Sequence, residues 1–332
     1  MKKLIEEYEY PLYVTFCITS RCNANCKHCS SKVASKEDIS TEKIIETLED
    51  LKNCGVFNLA LSGGEPLLHP DFDLIASTAV KLGFSVGVGT NGKIIDDVYA
   101  KKLKDMKLSR VQISLDGSTA KTHDKFRGIN GMFDEAIEAI RILVKSGINT
   151  NVCMTPTKEN FKELEQVIDL AYKMGVRGFN LSQFVPMNKE MENLDLSNAE
   201  WKEVMELWYR KKVEYKKQMN FTAHEAQLIL VDSAYKSMKG FIGCQAGIGN
   251  GCILSDGTVL PCVMLNLSLG NVKDKPFHKI WEESENVRAL RDRTHLQGKC
   301  GNCKNILKCG GCRAVAYNKT GELFASDPRC WV

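Results

Sequence analysis

No stretch of the sequence reaches about eighteen uninterrupted apolar residues, the length a membrane span needs. The opening ten residues, Met-Lys-Lys-Leu-Ile-Glu-Glu-Tyr-Glu-Tyr, hold no apolar core of the kind a signal peptide carries. A membrane partner is therefore not expected, and a cytoplasmic location is. Charge of one sign is equally scarce: the formal balance is +4 over 332 residues, with no dense basic run, so nothing argues for a nucleic-acid partner. Internal repeats and low-complexity tracts are missing as well. The chain is about two domains long and can bury a sizeable core.

Cysteine, by contrast, is abundant. The sequence has 14 cysteines, many in tight clusters, and in a chain with no export signal such clusters favour metal over disulfides. Cys22, Cys26 and Cys29 stand on one short loop, Cys-Asn-Ala-Asn-Cys-Lys-His-Cys. Thiolates crowded this closely repel one another and oxidise readily, so a soft cation such as iron, zinc or copper(I) is needed to neutralise them. An iron-sulfur cubane normally takes four thiolates, and a three-thiolate loop leaves one iron open to a non-protein ligand. The competing reading is part of a zinc site, but zinc ligand sets space their pairs differently.

Around this loop, strand-like apolar runs alternate with amphipathic helical stretches, the pattern of repeated parallel βα units. Strands are expected over 12–18, 56–62, 84–89, 110–115, 148–154 and 177–184. Helices are expected over 41–53, 70–82, 96–106, 133–146 and 159–174, the first capped by Ser40 or Thr41. A polar and aromatic segment with helices near 197–217 and 223–238 then leads to a cysteine-rich end. Cys17, Cys54 and Cys153 lie in apolar runs and read as packed core thiols.

Cys-x3-Cys-x2-Cys after a strand resembles the signature of the radical S-adenosylmethionine (radical SAM) enzymes. The resemblance implies a partial (β/α)6 TIM-like barrel of α/β class over residues 10–190, with its site in the loops after the strands. It also implies a cluster whose open iron chelates S-adenosylmethionine and, once reduced, cleaves it to a 5'-deoxyadenosyl radical. Ser62-Gly63-Gly64-Glu65-Pro66 after strand two looks like the family's GGEP motif. Alone it reads as a turn before a helix. In the family it holds the cofactor's amino group, a role that suits Glu65 as a charge-assisted acceptor and Gly63 and Gly64 as residues that let backbone approach a ligand. Thr90-Asn91-Gly92 and Ser114-Leu115-Asp116-Gly117 resemble segments near the methionyl and ribose groups, which assigns Asn91 and Ser114. His123-Asp124-Lys125-Phe126-Arg127-Gly128 matches a stretch whose arginine, here Arg127, approaches the cofactor carboxylate. Asn180 and Gln183 are each as apt to face the cavity as to point away from it, and His224, Glu225 and Tyr235 read as solvated or packed helical side chains.

The C-terminal cysteines resemble the SPASM extension, which carries two auxiliary 4Fe-4S clusters, and this assigns 241–332 to that domain and 191–240 to a helical bridge. By that analogy one cluster takes Cys244, Cys252, Cys262 and Cys312, and the other takes Cys300, Cys303, Cys309 and Cys330. Only two residues separate Cys309 from Cys312, where the family usually has three. A four-cysteine zinc knuckle over 300–312 is the alternative, although the five residues between its pairs are fewer than zinc ribbons use. The resemblance implies three 4Fe-4S clusters, S-adenosylmethionine and an external electron donor such as flavodoxin or ferredoxin. It further implies an enzyme that abstracts hydrogen from a peptide or protein and crosslinks, epimerises or oxidises it, while the auxiliary clusters bind substrate or take an electron. With only about ten residues before the first strand, a peptide-recognition partner is expected to be separate. A haem-precursor or small-molecule substrate is the alternative. A non-catalytic iron-sulfur electron carrier is the reading from another class, one that has no use for Glu65 and Arg127 around a three-ligand cluster.

Overall fold

The computed structural model describes Ile5, residues 8–30 and residues 37–332. Six strands follow the expected order: β1 Tyr13–Thr19, β2 Asn58–Gly63, β3 Ser85–Thr90, β4 Arg110–Ser114, β5 Thr150–Met154 and β6 Gly178–Leu181. All pair in parallel with their neighbours in sequence. The intervening helices are α1 Thr41–Asn53, α2 Phe72–Lys81, α3 Asp97–Asp105, α4 Ala120–Arg127, α5 Met132–Lys145 and α6 Leu164–Lys173, and α7 Asn198–Tyr215 follows β6.

Local sequence accounts for these boundaries. Ser40 caps α1, accepting from the Lys43 amide, and Ile44, Thr47, Leu48 and Leu51 repeat at helical spacing to place one face against the sheet. α7 opens on a reciprocal capping box between Ser197 and Glu200. Strand residues such as Val14, Phe16, Leu59, Leu61, Val86 and Val152 belong to one continuous core with the helix faces that cover them.

The sheet continues past the six expected strands on both sides. β7 Asn220–Ala223 adds in parallel to β6, and β8 Asn250–Ile253 adds in parallel to β1. β9 Thr258–Leu260 and β10 Gly270–Asn271 extend the β8 side as an antiparallel ribbon, giving the order β10-β9-β8-β1-β2-β3-β4-β5-β6-β7. The cysteine-rich segment is thus hydrogen-bonded directly to the first barrel strand.

The helix expected over 223–238 is not formed. Its first residue closes β7, and the rest breaks into short turns over Glu225–Gln227, Leu228–Val231 and Ala234–Ser237. The break at Asp232 is a side-chain turn, its Oδ1 accepting from the Ala234 amide at 3.0 Å. The sixth strand also ends sooner than expected, at Leu181. Near the C-terminus come α8 Phe277–Glu283, α9 Glu285–Arg291 and α10 Arg313–Thr320. Among the described residues no helix is long and apolar enough to cross a membrane.

Candidate active site

Cys22, Cys26 and Cys29 lie on the loop that leaves the C-terminal end of β1, and neighbouring βα loops hold that loop in place. The Gly64 and Glu65 amides donate to Thr19 O and Arg21 O, both at 2.7 Å. On another side the Asn25 and Lys27 amides donate to Arg127 O and Phe126 O at 3.0 Å. These are end carbonyls of α4, which have no partner within their own helix. Asn91 Nδ2 donates to Asn23 Oδ1 at 2.7 Å, and the His28 ring stacks on Phe126 with centroids 4.5 Å apart.

These contacts change the reason for the glycines. A Cβ on Gly63 would sit 2.3 Å from Thr19 O, and one on Gly64 would sit 2.3 Å from Arg21 O. The glycine pair lets the β2 loop lie against the cysteine loop, a backbone-to-backbone approach within the protein. Gly128, at φ +75°, does the same on the other side, where a Cβ would come within 2.5 Å of Asn25 O.

Glu65 is almost wholly buried. Its Oε2 accepts from the Asn91 amide at 2.7 Å and its Oε1 from the Leu67 amide at 3.3 Å. Burial pushes its carboxyl up, against the pull of these amides, the Thr90 hydroxyl and Arg127. Arg127 directs Nη2 at Asp116, 2.5 Å away, and Nη1 at Cys26 Sγ, 3.5 Å away. Burial raises the fully enclosed Asp116 carboxyl, but Arg127, then His28 and His123, outweigh burial and hold it below the usual carboxylate range. His123 is pushed down to about 4, chiefly by burial, and its Nδ1 accepts from the Asp116 amide at 3.0 Å. It is thus a neutral, hydrogen-bonded positioning group.

One cavity of about 210 Å³ is bordered by Cys22, Cys26, Cys29, Gly63, Gly64, Glu65, Asn91, Ser114 and Arg127 together. The three loop cysteines and the residues assigned to the cofactor from the motifs therefore border the same space. Gln183 also lines it, with its Nε2 buried and unpartnered, whereas Asn180 faces a neighbouring cavity. Cys153, expected in the core, borders the main cavity and accepts from Asn180 Nδ2 at 3.4 Å.

Cys300, Cys303, Cys309 and Cys330 line a separate small cavity. Cys244, Cys262 and Cys312 pack in one buried cluster. Cys252 lies beside them on β8, but its thiol hydrogen-bonds to that of Cys17 and it packs with Leu260. His224 and Glu225, expected as unremarkable helical side chains, follow β7 and line a second cavity with Cys244 and Cys262.

Residues 16–171 match the family model for the radical SAM superfamily, and residues 244–304 match that for the SPASM iron-sulfur cluster-binding domain. Over 96% of this chain and 96% of its own length, the AdoMet-dependent heme synthase of Methanosarcina barkeri is 31% identical. The chain belongs to the radical SAM superfamily. Among other relatives of this radical SAM enzyme, the pre-heme d1 synthase of Dinoroseobacter shibae is 30% identical over 95% of this chain and 85% of that protein. A mycofactocin maturase of Mycobacterium tuberculosis is 29% identical over 99% and 86%. The fold is shared with Streptococcus suis SuiB, solved with its precursor peptide SuiA, at TM-score 0.81 and 19% identity, covering 99% of this chain and 78% of that one.

A radical SAM enzyme with a SPASM domain uses S-adenosylmethionine and 4Fe-4S clusters, and the chemistry of the first cysteine loop suits a cluster. Burial pushes the Cys26 thiol up, with Arg127 opposing, so a cation is what makes a thiolate stable at that position. Cys22 and Cys29 border the same opening. Among cavity-lining residues that sequence reasoning passed over, Gln112 stands two positions before Ser114 on β4, and strand alternation places both on one face. The apolar lining residues Phe184, Val185 and Met264 lie in no motif and had no signal.

Proposed function

We propose that this radical SAM enzyme acts on a tetrapyrrole of the haem-precursor class, abstracting hydrogen from an aliphatic side-chain carbon. The observation that carries this reading is near full-length similarity, in both directions, to an AdoMet-dependent heme synthase, together with a pre-heme d1 synthase. The peptide substrate expected from the sequence is supported by the mycofactocin maturase relative and ranks second. Likeness to SuiB at 19% identity concerns fold alone. The cavity lining combines apolar Phe184, Val185 and Met264 with polar Gln112, Ser114, Thr155 and Gln183, the mixed character of small-molecule sites.

In this reading Cys22, Cys26 and Cys29 would hold the first cluster, and Gly63, Gly64, Glu65, Asn91, Ser114 and Arg127 would hold S-adenosylmethionine. When bound and reduced, the cluster supplies the electron that cleaves S-adenosylmethionine and so provides the hydrogen-abstracting radical. Glu65 is held in place by the Asn91 and Leu67 amides. Arg127 is anchored by Asp116 and braces Cys26. Cys244, Cys252, Cys262 and Cys312 hold one auxiliary cluster, and Cys300, Cys303, Cys309 and Cys330 the other.

Three cubanes require about twelve iron per chain, and replacing Cys22, Cys26 and Cys29 with Ala should remove about four. Iron and sulfide analysis after anaerobic reconstitution checks both. For the substrate, reduced enzyme and S-adenosylmethionine are incubated with iron-coproporphyrin III deuterated in its side chains. Deuterium in 5'-deoxyadenosine and a mass change in the tetrapyrrole are the expected results. Labelling from a peptide and from no tetrapyrrole would replace the reading with the peptide one.

A further inference from the structure

A side chain from the end of β7 reaches the auxiliary-cluster region, and no cysteine spacing reveals it. His224 follows β7 immediately, and its Nε2 lies 3.5 Å from Cys312 Sγ. Cys312 is almost completely buried with Cys244 and Cys262, and His224 lines the cavity bordered by Cys244 and Cys262. A metal-bound thiolate has no proton to donate, so the imidazole must be the donor in this pair. A separation of 3.5 Å suits an N–H···S contact and is too short for two ligands on different irons of one cubane.

Other sulfur-directed donors in the C-terminal domain are mostly backbone. Cys300 Sγ accepts from the Asp327 amide at 3.3 Å, Cys303 Sγ from the Asn305 amide at 3.4 Å and Cys309 Sγ from the Gly311 amide at 3.4 Å. Such donors come with the fold whatever the side chains. His224 is a replaceable side chain reaching from the barrel onto the other cysteine set.

We infer that His224 donates a hydrogen bond through Nε2 to the Cys312 thiolate and thereby raises the reduction potential of the first auxiliary cluster. The inference rests on the assignment of Cys312 as a ligand of that cluster. Physically, reduction adds negative charge that spreads onto the ligand sulfurs, and an N–H aimed at one of them stabilises the reduced state more than the oxidised one. His224 is a positioning and tuning residue and makes no bond to iron. Because it stands on a barrel loop, it couples the barrel to the ease with which the auxiliary cluster accepts an electron.

The test is a redox titration of full-length, anaerobically reconstituted enzyme followed by electron paramagnetic resonance. The signal that disappears in Cys262→Ala marks the first auxiliary cluster. His224→Phe removes the donor, and His224→Gln keeps an N–H. At the potential where this cluster is half reduced in the wild type, His224→Phe should lower its reduced-to-oxidised ratio about fivefold. At 1.36 kcal/mol per factor of ten that is about 1 kcal/mol, one hydrogen bond. His224→Gln should recover most of that ratio, and iron content should stay at the wild-type value in both. An unchanged ratio in His224→Phe overturns the inference, and loss of about four iron overturns it in favour of direct ligation. The underlying assignment fails separately, if Cys312→Ala retains all its iron.

Discussion

Arg127 and Asp116 form a buried pair in which each charge depends on the other. Asp116 is fully enclosed and Arg127 nearly so, and the carboxylate also accepts from the Thr155 amide, at 2.8 Å. Replacing Arg127 with Leu leaves that charge without its counter-ion, at a cost of about 3–5 kcal/mol, read as a lower urea midpoint near neutral pH. The pH dependence has a definite sign. The folded-state pKa of Asp116 is depressed, so the stability it contributes is present above its unfolded value of about 3.9 and is lost as pH falls through the folded value. In Arg127→Leu the depression disappears and this acid-linked loss goes with it, so the stability gap between variant and wild type should narrow as pH falls through the wild-type folded value. Unfolding midpoints measured across the acid range separate the two profiles.

At the scale of elements, the cysteine loop is a span of irregular backbone held between the β2 loop and the C-terminal end of α4. Gly128 makes the second contact possible, being left-handed at φ +75° and facing Asn25 O. Gly128→Ala adds about 1–2 kcal/mol of backbone strain and drives a methyl into the loop. The expected result is loss of about four iron, one cluster's worth, with the auxiliary clusters retained. Gly131→Ala is the control, since its φ is also positive, +87°, but nothing lies within 4 Å of the added carbon. It should carry the strain and keep its iron, as metal analysis of the two proteins will show.

Across the whole molecule, the cysteine-rich segment is an extension of the barrel sheet. β8 pairs with β1 from Tyr13↔Asn250 to Phe16↔Ile253. At the far end of the chain Arg329 donates through Nη1 to Phe184 O at 2.8 Å, pairs with Asp195 and lies over the Trp201 ring. Asp327 ties in as well, its Oδ2 accepting from Gln227 Nε2 at 2.9 Å and from the Cys312 amide at 2.8 Å. Deleting residues 241–332 should therefore expose the β1 edge and yield protein that aggregates. Size-exclusion chromatography checks this, and a soluble, monomeric truncated barrel would show that the two parts fold independently.

The sequence by itself determined the cysteine loop, the motif loops after β2, β3 and β4, and the order of the first six strands, because each is a local pattern. Metal ligands on one loop are set by short spacings, and strand and helix are set by periods of 2 and 3.6 residues. Ser114 and Arg127, far from the cysteine loop in the chain, were legible through the resemblance of their segments to the family's, which places such loops at the C-terminal ends of barrel strands. Tertiary structure alone decided which groups meet across long separations. It placed β8 beside β1, Asp116 under Arg127, the Cys252 thiol against Cys17 and His224 against Cys312. It also decided that Gly63 and Gly64 are required by backbone packing under the cysteine loop, and that 223–238 breaks into turns. None of these has a period or a fixed spacing, since they arise from which surfaces the folded sheet brings together.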